Sequence, residues 1–220
     1  DPLKDDPELV GREIRNQLDE AAVRERRCVV CVPLNWALTL QVNIPEMPDE
    51  DMASFLEIES EKGFPYAPED LLISCSRYRT PGEEQHATVV AIPKNHLALL
   101  EAALNAAQLK PASFSLAISA LQEPEKESDD GVVALLLGEN TLELQISSGN
   151  GVVALRSFEH AFSEDGDGKR VDADLIAREV KITLGRLPRD VGGTVRTLRV
   201  FGRQELIEPF LRDIRPSASG

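Results

Sequence analysis

The sequence predicts an α/β protein in two parts, the first of which carries a small α+β unit of its own. Three patterns support that expectation. From Ala37 to Leu116 the order reads strand, helix, strand, strand, helix, strand, a split βαβ arrangement that folds as a small sheet covered by two helices. Glu123 to Asp130 (EPEKESDD) is polar, with five acids against one lysine, and separates two apolar segments as a linker would. Beyond it the order is three strands, helix, strand, helix.

Taken in chain order, Glu8 to Glu25 shows Leu9, Val10, Ile14, Leu18, Ala21 and Ala22 at helical spacing. It ends in Arg24, Arg26 and Arg27, cations that suit the C-terminal end of a helix dipole. Cys28 to Val32 is wholly apolar and reads as a buried strand. Ala37 to Ile44 reads as a strand stopped by Pro45 and Pro48. Asp49 to Lys62 reads as a helix with Asp49 as N-cap and Gly63 as C-terminal cap. Leu71 to Tyr78 and Ala87 to Ile92 read as strands around a polar turn, and Lys94 to Ala107 as a helix. Ala112 to Leu116 is an extended segment. In the second part, Val132–Leu137, Thr141–Ile146 and Val152–Phe158 are strands, and Gly149-Asn150-Gly151 between the last two is a hairpin signal. A loop from Ser163 to Arg170, a helix from Asp172 to Leu187, a strand from Val195 to Val200 and a helix from Gln204 to Ile214 complete the chain.

The 220 residues are 42% hydrophobic and 28% charged, enough apolar material for a real core. Lys and Arg number 24 against 38 Asp and Glu, a net charge of -14. That sign repels phosphate backbones and anionic lipid heads, which argues against nucleic acid or bare membrane as partner. No apolar run approaches the roughly 20 residues that cross a bilayer. Neither end resembles a signal peptide, and the opening Asp1-Pro2 reads as that of a fragment or trimmed chain. Three cysteines, an odd number, fit a reducing compartment, so the cytoplasm is the expected location.

The stretch NIPEMPDEDMASFLEIESEKGFPYAPEDL, Asn43 to Leu71, joins a strand ending in Pro, a Met, an acidic helix start and an apolar-Pro step. VVAIPKNHLALLEAALNAAQLKPASFSLAISAL, Val89 to Leu121, adds a strand, a Pro-Lys turn, a long helix and a Leu-Lys-Pro exit. Together these resemble the PilM family of type IV pilus assembly. GVVALLLGENTLELQISSGNGVVALRSF and LRVFGRQELIEPFLRDI are similar to its closing half in pattern. The resemblance implies an actin-like body built on the ribonuclease-H-like unit, related to FtsA and to the cytoplasmic actin-like domains of type II secretion. On that reading, residues 1–36 and 108–122 form an incomplete first core half. Residues 37–107 form an inserted subdomain, 123–131 the acidic linker and 132–220 the second half. The implied role is that of a scaffold at the cytoplasmic face of the inner membrane. It would bind a short peptide of a membrane-anchored pilus or secretion protein in a groove between insert and core, with homodimer formation a further option.

Active relatives resemble actin in using an Asp-x-Gly turn at the start of each half to hold magnesium and phosphates. Here the second turn reads Leu136-Leu137-Gly138-Glu139-Asn140-Thr141. Gly138 and Thr141 match as a remnant, but Leu136 stands where the carboxylate belongs, and a hydrocarbon side chain cannot ligand magnesium. Glu139 is one substitute, although a hairpin turn should point it to solvent. The first half also begins at the helix after its own meander and phosphate turn, and only a Gly/Asp loop precedes Asp172. The expectation is therefore a pseudo-ATPase with no cofactor. The alternative is an ATP-binding switch with magnesium whose missing parts lie outside these residues, and a weaker one is a filament former.

Other chemistry is weighed against simpler roles. Cys28 and Cys31 have C-x-x-C spacing, yet in a strand they face opposite sides, so they read as buried core cysteines, as does Cys75. Glu164, Asp165, Asp167, Asp172 and Asp174 could gather round calcium but lack EF-hand spacing, so a solvated loop with a helix N-cap is expected. A ribonuclease-H-type nuclease needs carboxylates on the first meander strand, and Val132–Leu137 has none. His86, His96 and His160 fit no triad or metal spacing and read as surface or turn residues. Trp36, Phe64, Pro65 and Tyr66 are the candidate partner-binding residues, the competing role being to pack the insert's own core.

Overall fold

The computed structural model describes residues 2–122, 130–165 and 168–217. The chain opens with a turn of helix, α1 (Pro2–Asp5), and the amphipathic α2 (Pro7–Glu20). Asp6 caps α2 by accepting the Leu9 N–H at 2.9 Å, and Pro7 sits at the first position, where no N–H is needed. The helix ends five residues before Glu25, because Ala22 turns left-handed at φ 57° and Val23 N–H returns to the Leu18 carbonyl. Arg24 and Arg26 therefore follow the helix rather than end it, and Arg27 opens the first strand.

β1 (Arg27–Val32) pairs in parallel with β5 (Lys110–Leu116). α4 (Lys94–Ala106) crosses α2 over one face of this ribbon, so closely that a Cβ on Gly11 would overlap the Ala103 carbonyl. Leu104, Ala107 and Leu109 pack there with Ile14, Leu18, Cys28 and Val30. The opposite face is open, with Val29 57% exposed and Cys31 also exposed. The expected buried strand is thus half exposed. Cys28 is half-buried, and neither Cys31 nor Cys75 belongs to a core.

The insert is a three-stranded antiparallel sheet in the order β2 (Leu38–Ile44), β4 (Gln85–Pro93), β3 (Leu71–Arg79). β5 does not join it, and α4 lies on α2 and the β1–β5 ribbon, so α3 (Met52–Gly63) is the long helix on this sheet. The split βαβ expectation is corrected in that respect: β5 finds a parallel partner far back in sequence. Residues alternate to both faces. Val42, Leu71, Val89 and Ala91 meet Phe55 and Leu56 of α3, together with Phe64. Asp51, not Asp49, stands at the α3 N-cap and makes no side-chain cap bond, while Asp49 lies 3.7 Å from Arg77.

α5 (Ala117–Ala120) leads from β5 towards the second part. There β6 (Gly131–Leu137), β7 (Leu142–Ser148) and β8 (Gly151–Phe158) form an antiparallel meander. The residues expected to form a loop make a hairpin instead, β9 (Phe162–Asp165) with β10 (Gly168–Val171). Asp167 lies outside the described residues. α6 (Ala173–Arg186), α7 (Arg189–Gly192), β11 (Val195–Gly202) and α8 (Gln204–Ser217) follow. β11 pairs in parallel with β6, giving the sheet order β11-β6-β7-β8. Leu135, Leu144, Ile146, Val153, Ile176 and Phe210 form its core. Asp172 caps α6 through the Leu175 N–H at 2.9 Å. Asp172→Ala should lower stability by about 1 kcal/mol, measured by urea denaturation.

Apolar and polar contacts join the parts. Val32, Leu34, Ile92, Leu97, Leu116 and Ile118 share a core with Ala134 and Leu155 of the second sheet. The polar face of the insert also docks on β8, the edge strand of that sheet. Gln41 and Thr88 donate to the Val153 and Val152 carbonyls at 2.7 and 2.6 Å, and Ser76 Oγ accepts the Val152 N–H at 2.9 Å. Insert side chains thereby satisfy an edge that would otherwise invite another strand.

Candidate functional site

The Gly138 turn closes β6 onto β7 through a Gly138 N–H bond to the Thr141 carbonyl at 2.9 Å. A cavity of about 580 Å³ opens beside it, bounded by Gly138, Glu139, Asn140, Lys169, Gly202 and Arg203 among others. β11 brings Gly202 and Arg203 to the turn from one side, and the β9–β10 hairpin brings Lys169 from the other. Both cations are engaged by the turn itself. Arg203 pairs with the Glu139 carboxylate, while Lys169 donates to the Glu139 carbonyl and, at 2.8 Å, to Asn140 Oδ1. Lys169 also lies over the Phe162 ring at 4.8 Å.

Leu136 packs against the core shared by the two parts, with Ala134, Leu155 and Ile118. Glu139 is exposed as anticipated, and its carboxylate pairs with Arg203. Among the described residues no group of three or more His, Cys, Asp or Glu gathers as a metal cage.

One buried acid was not singled out from the sequence. Glu143 on β7 is 4% exposed, and its Oε1 accepts the Leu34 N–H at 2.8 Å. Leu34 follows β1 and Ile118 follows β5, so this carboxyl sits where both strands of the β1–β5 ribbon exit. Burial pushes its pKa above the ordinary value, and backbone hydrogen bonds from Leu34 and Ile118 oppose that shift. Oε2 has no hydrogen-bond partner. The alternation Leu142-Glu143-Leu144-Gln145-Ile146 marks a polar face, and only the docking of the first part turns that face inward.

The candidate partner-binding residues do not behave as one surface. Phe64 is buried in the core of the insert, which corrects its reading as a partner anchor. Pro65 is exposed and Tyr66 is 45% exposed, so they present the step that follows α3. Trp36 is half-buried and lies 5.2 Å from the His96 ring. His86 is not a surface residue: it is buried on β4 and stacked on Tyr78. His160 is exposed, as expected.

No protein-family model matches the sequence, and no curated protein matches it. Solved structures do. A PilM–PilN type IV pilus biogenesis complex aligns over 96% of this chain at 21% identity and a TM-score of 0.56. The cytoplasmic domain of EpsL, an inner membrane component of the type II secretion system of Vibrio cholerae, aligns over 67% at 18% identity and a TM-score of 0.50. The chain spans 62% and 56% of the length of those two proteins. Its second part keeps the ribonuclease-H-like order of three antiparallel strands, helix, parallel strand, helix, and its first part carries an insert. By fold, the chain is similar to the PilM and EpsL cytoplasmic structures.

Proposed function

We propose that this chain is a non-catalytic actin-like scaffold at the cytoplasmic face of the inner membrane. It would hold a short peptide of a membrane-anchored pilus or secretion protein. The observation that carries the non-catalytic half is Leu136, whose side chain joins the inter-part core where a nucleotide-binding relative needs a carboxylate. The likeness to a PilM–PilN complex and to an inner membrane secretion component supports the adaptor half. Among the described residues no helix is long and apolar enough to cross a membrane, so on this reading the membrane is reached through the partner.

Titration calorimetry with Mg-ATP should give no saturable heat, and saturable binding or turnover would overturn the non-catalytic half. Capture with the cytoplasmic peptide of a neighbouring single-span membrane protein tests the adaptor half. Tyr66→Ala and Trp36→Ala should each weaken capture several-fold, as truncation of an aromatic anchor does; unchanged capture by both would remove this surface. A second reading, an ATP-binding switch, draws on Lys169 and Arg203 beside Gly138. It requires nucleotide binding that a Gly138 variant loses.

A further inference from the structure

The sheet of the second part has two edges, and the insert covers one of them. It docks on β8 through Gln41, Ser76 and Thr88, whereas β11, at the other end of the order β11-β6-β7-β8, pairs only with β6 among the described residues. In a parallel pair every second residue turns its N–H and C=O away from the partner, so β11 directs backbone donors and acceptors to its outer side. A cavity of about 380 Å³ opens alongside. Val180 and Leu184 of α6, Ile214 of α8 and Leu198 of β11 line it over Val133 and Leu135 of β6. Leu198 is 44% exposed, an open leucine in the middle of the edge.

The charge beside this groove is one-sided. Lys181 and Arg196 line it and no acidic residue does, in a chain that carries 38 acids against 24 Lys and Arg. The residues one helical turn from Lys181 are Ala177, Arg178, Leu184 and Gly185, so α6 offers it no acid. Arg196 donates to the Val195 carbonyl at 3.0 Å, and neither cation has an ion-pair partner among the described residues. Cations on an edge can serve only to repel a stray strand. A guarded edge, however, has no use for an exposed leucine over an apolar groove. Pairing with β11 of a second copy is disfavoured, because it would bring Arg196 and Arg199 of both strands together.

We propose that the β11 edge and its groove form a docking site for an extended, acidic segment of a partner protein. The segment adds a strand beside β11, and its backbone engages the outward N–H and C=O groups. Strand residues alternate between faces, so every second side chain of the segment lies on the helix side. There aliphatic side chains enter the groove against Leu198 and Val180, and an acidic one meets Lys181 and Arg196. The site lies at the opposite edge of the sheet from the insert, so it does not rest on the adaptor reading.

The test uses the nitrogen-labelled chain and the peptide acetyl-Ser-Glu-Thr-Leu-Thr-Val-Ser-amide, whose acid and aliphatic residues share one strand face. It should shift the Thr197 and Leu198 amides saturably. A counterpart with lysine for the glutamate should bind several-fold more weakly, and one methylated at every backbone nitrogen should not bind. Lys181 and Arg196 are exposed, so Lys181→Gln and Arg196→Gln should keep the fold and each weaken binding about threefold, as loss of a solvated charge partner does. Leu198→Asp should abolish it. No saturable shift, equal binding of the lysine or methylated peptide, or unchanged binding in all three variants would overturn the site. An equal response to decanoate would assign the groove to a fatty carboxylate. Concentration-dependent shifts of the same amides without peptide would assign the edge to a second copy, and either result also overturns the proposal. None of these outcomes bears on Mg-ATP binding or on capture through Trp36 and Tyr66.

Discussion

Gly149→Ala should destabilise the protein by about 3 kcal/mol or more and loosen the insert from the core. Gly149 has φ +57°, where an alanine is strained by about 1 kcal/mol, and its added Cβ would overlap the Arg79 carbonyl oxygen. That carbonyl is backbone, so no side-chain rotation relieves the overlap. Arg79 N–H bonds the Gly149 carbonyl at 3.3 Å, and a shift here would pull Ser76, Thr88 and Gln41 off β8. Urea denaturation would give the magnitude, and hydrogen exchange should show faster exchange in β3 and β4 than in β6. Asn150→Gly keeps the turn, since Asn150 has φ +64° and glycine adopts that conformation freely, so its stability should change little. A Gly149→Ala protein as stable as wild type would refute the docked arrangement.

The second large effect is expected at Glu143. Glu143→Ala removes the acceptor of the Leu34 N–H and leaves a void where β1, β5 and β7 converge, so stability should fall by about 3 kcal/mol. Glu143→Gln keeps an oxygen for Leu34 and removes the buried charge, and its effect should depend on pH. The folded carboxyl has a pKa raised above 4.5, so between 4.5 and that higher value the folded chain binds more protons than the unfolded one. Wild-type stability therefore falls through this window as pH rises, whereas below it both states are protonated and the burial penalty is absent. Glu143→Gln lacks this slope. Its stability relative to wild type should climb from pH 4 to pH 7 in parallel denaturation curves, and a decline across that range would contradict the assigned burial.

Much of the layout was legible because local patterns agree with the fold. The Gly149-Asn150-Gly151 turn and the alternation on either side identify the β7–β8 hairpin from sequence, and the helical spacing in α4 identifies that helix. What could not be read is which distant segments meet. β5 follows α4 directly, yet it pairs with β1, some eighty residues earlier, and no local pattern encodes a parallel partner. The same ignorance misplaced the cysteines, since Cys28 to Val32 is apolar throughout but one face of its ribbon has no covering element among the described residues. His86 and Glu143 were missed for the opposite reason. Both lie on polar faces of strands, which sequence assigns to water, and docking of the insert on β8 and of the first part on β7 buries them. The remnant phosphate turn was readable because Gly138 and Thr141 lie three residues apart in one hairpin, whereas Lys169 and Arg203 reach it only through the fold.

The open side of the β1–β5 ribbon has a practical consequence for spectroscopy. Cys31 presents a thiol on one body of the molecule and Cys75 presents another on the insert, so the native sequence already carries two dye-attachment points spanning the boundary. A pair of fluorophores placed there would act as a molecular ruler. Its reading would reveal whether engaging a peptide rotates one body against the other or leaves their separation untouched.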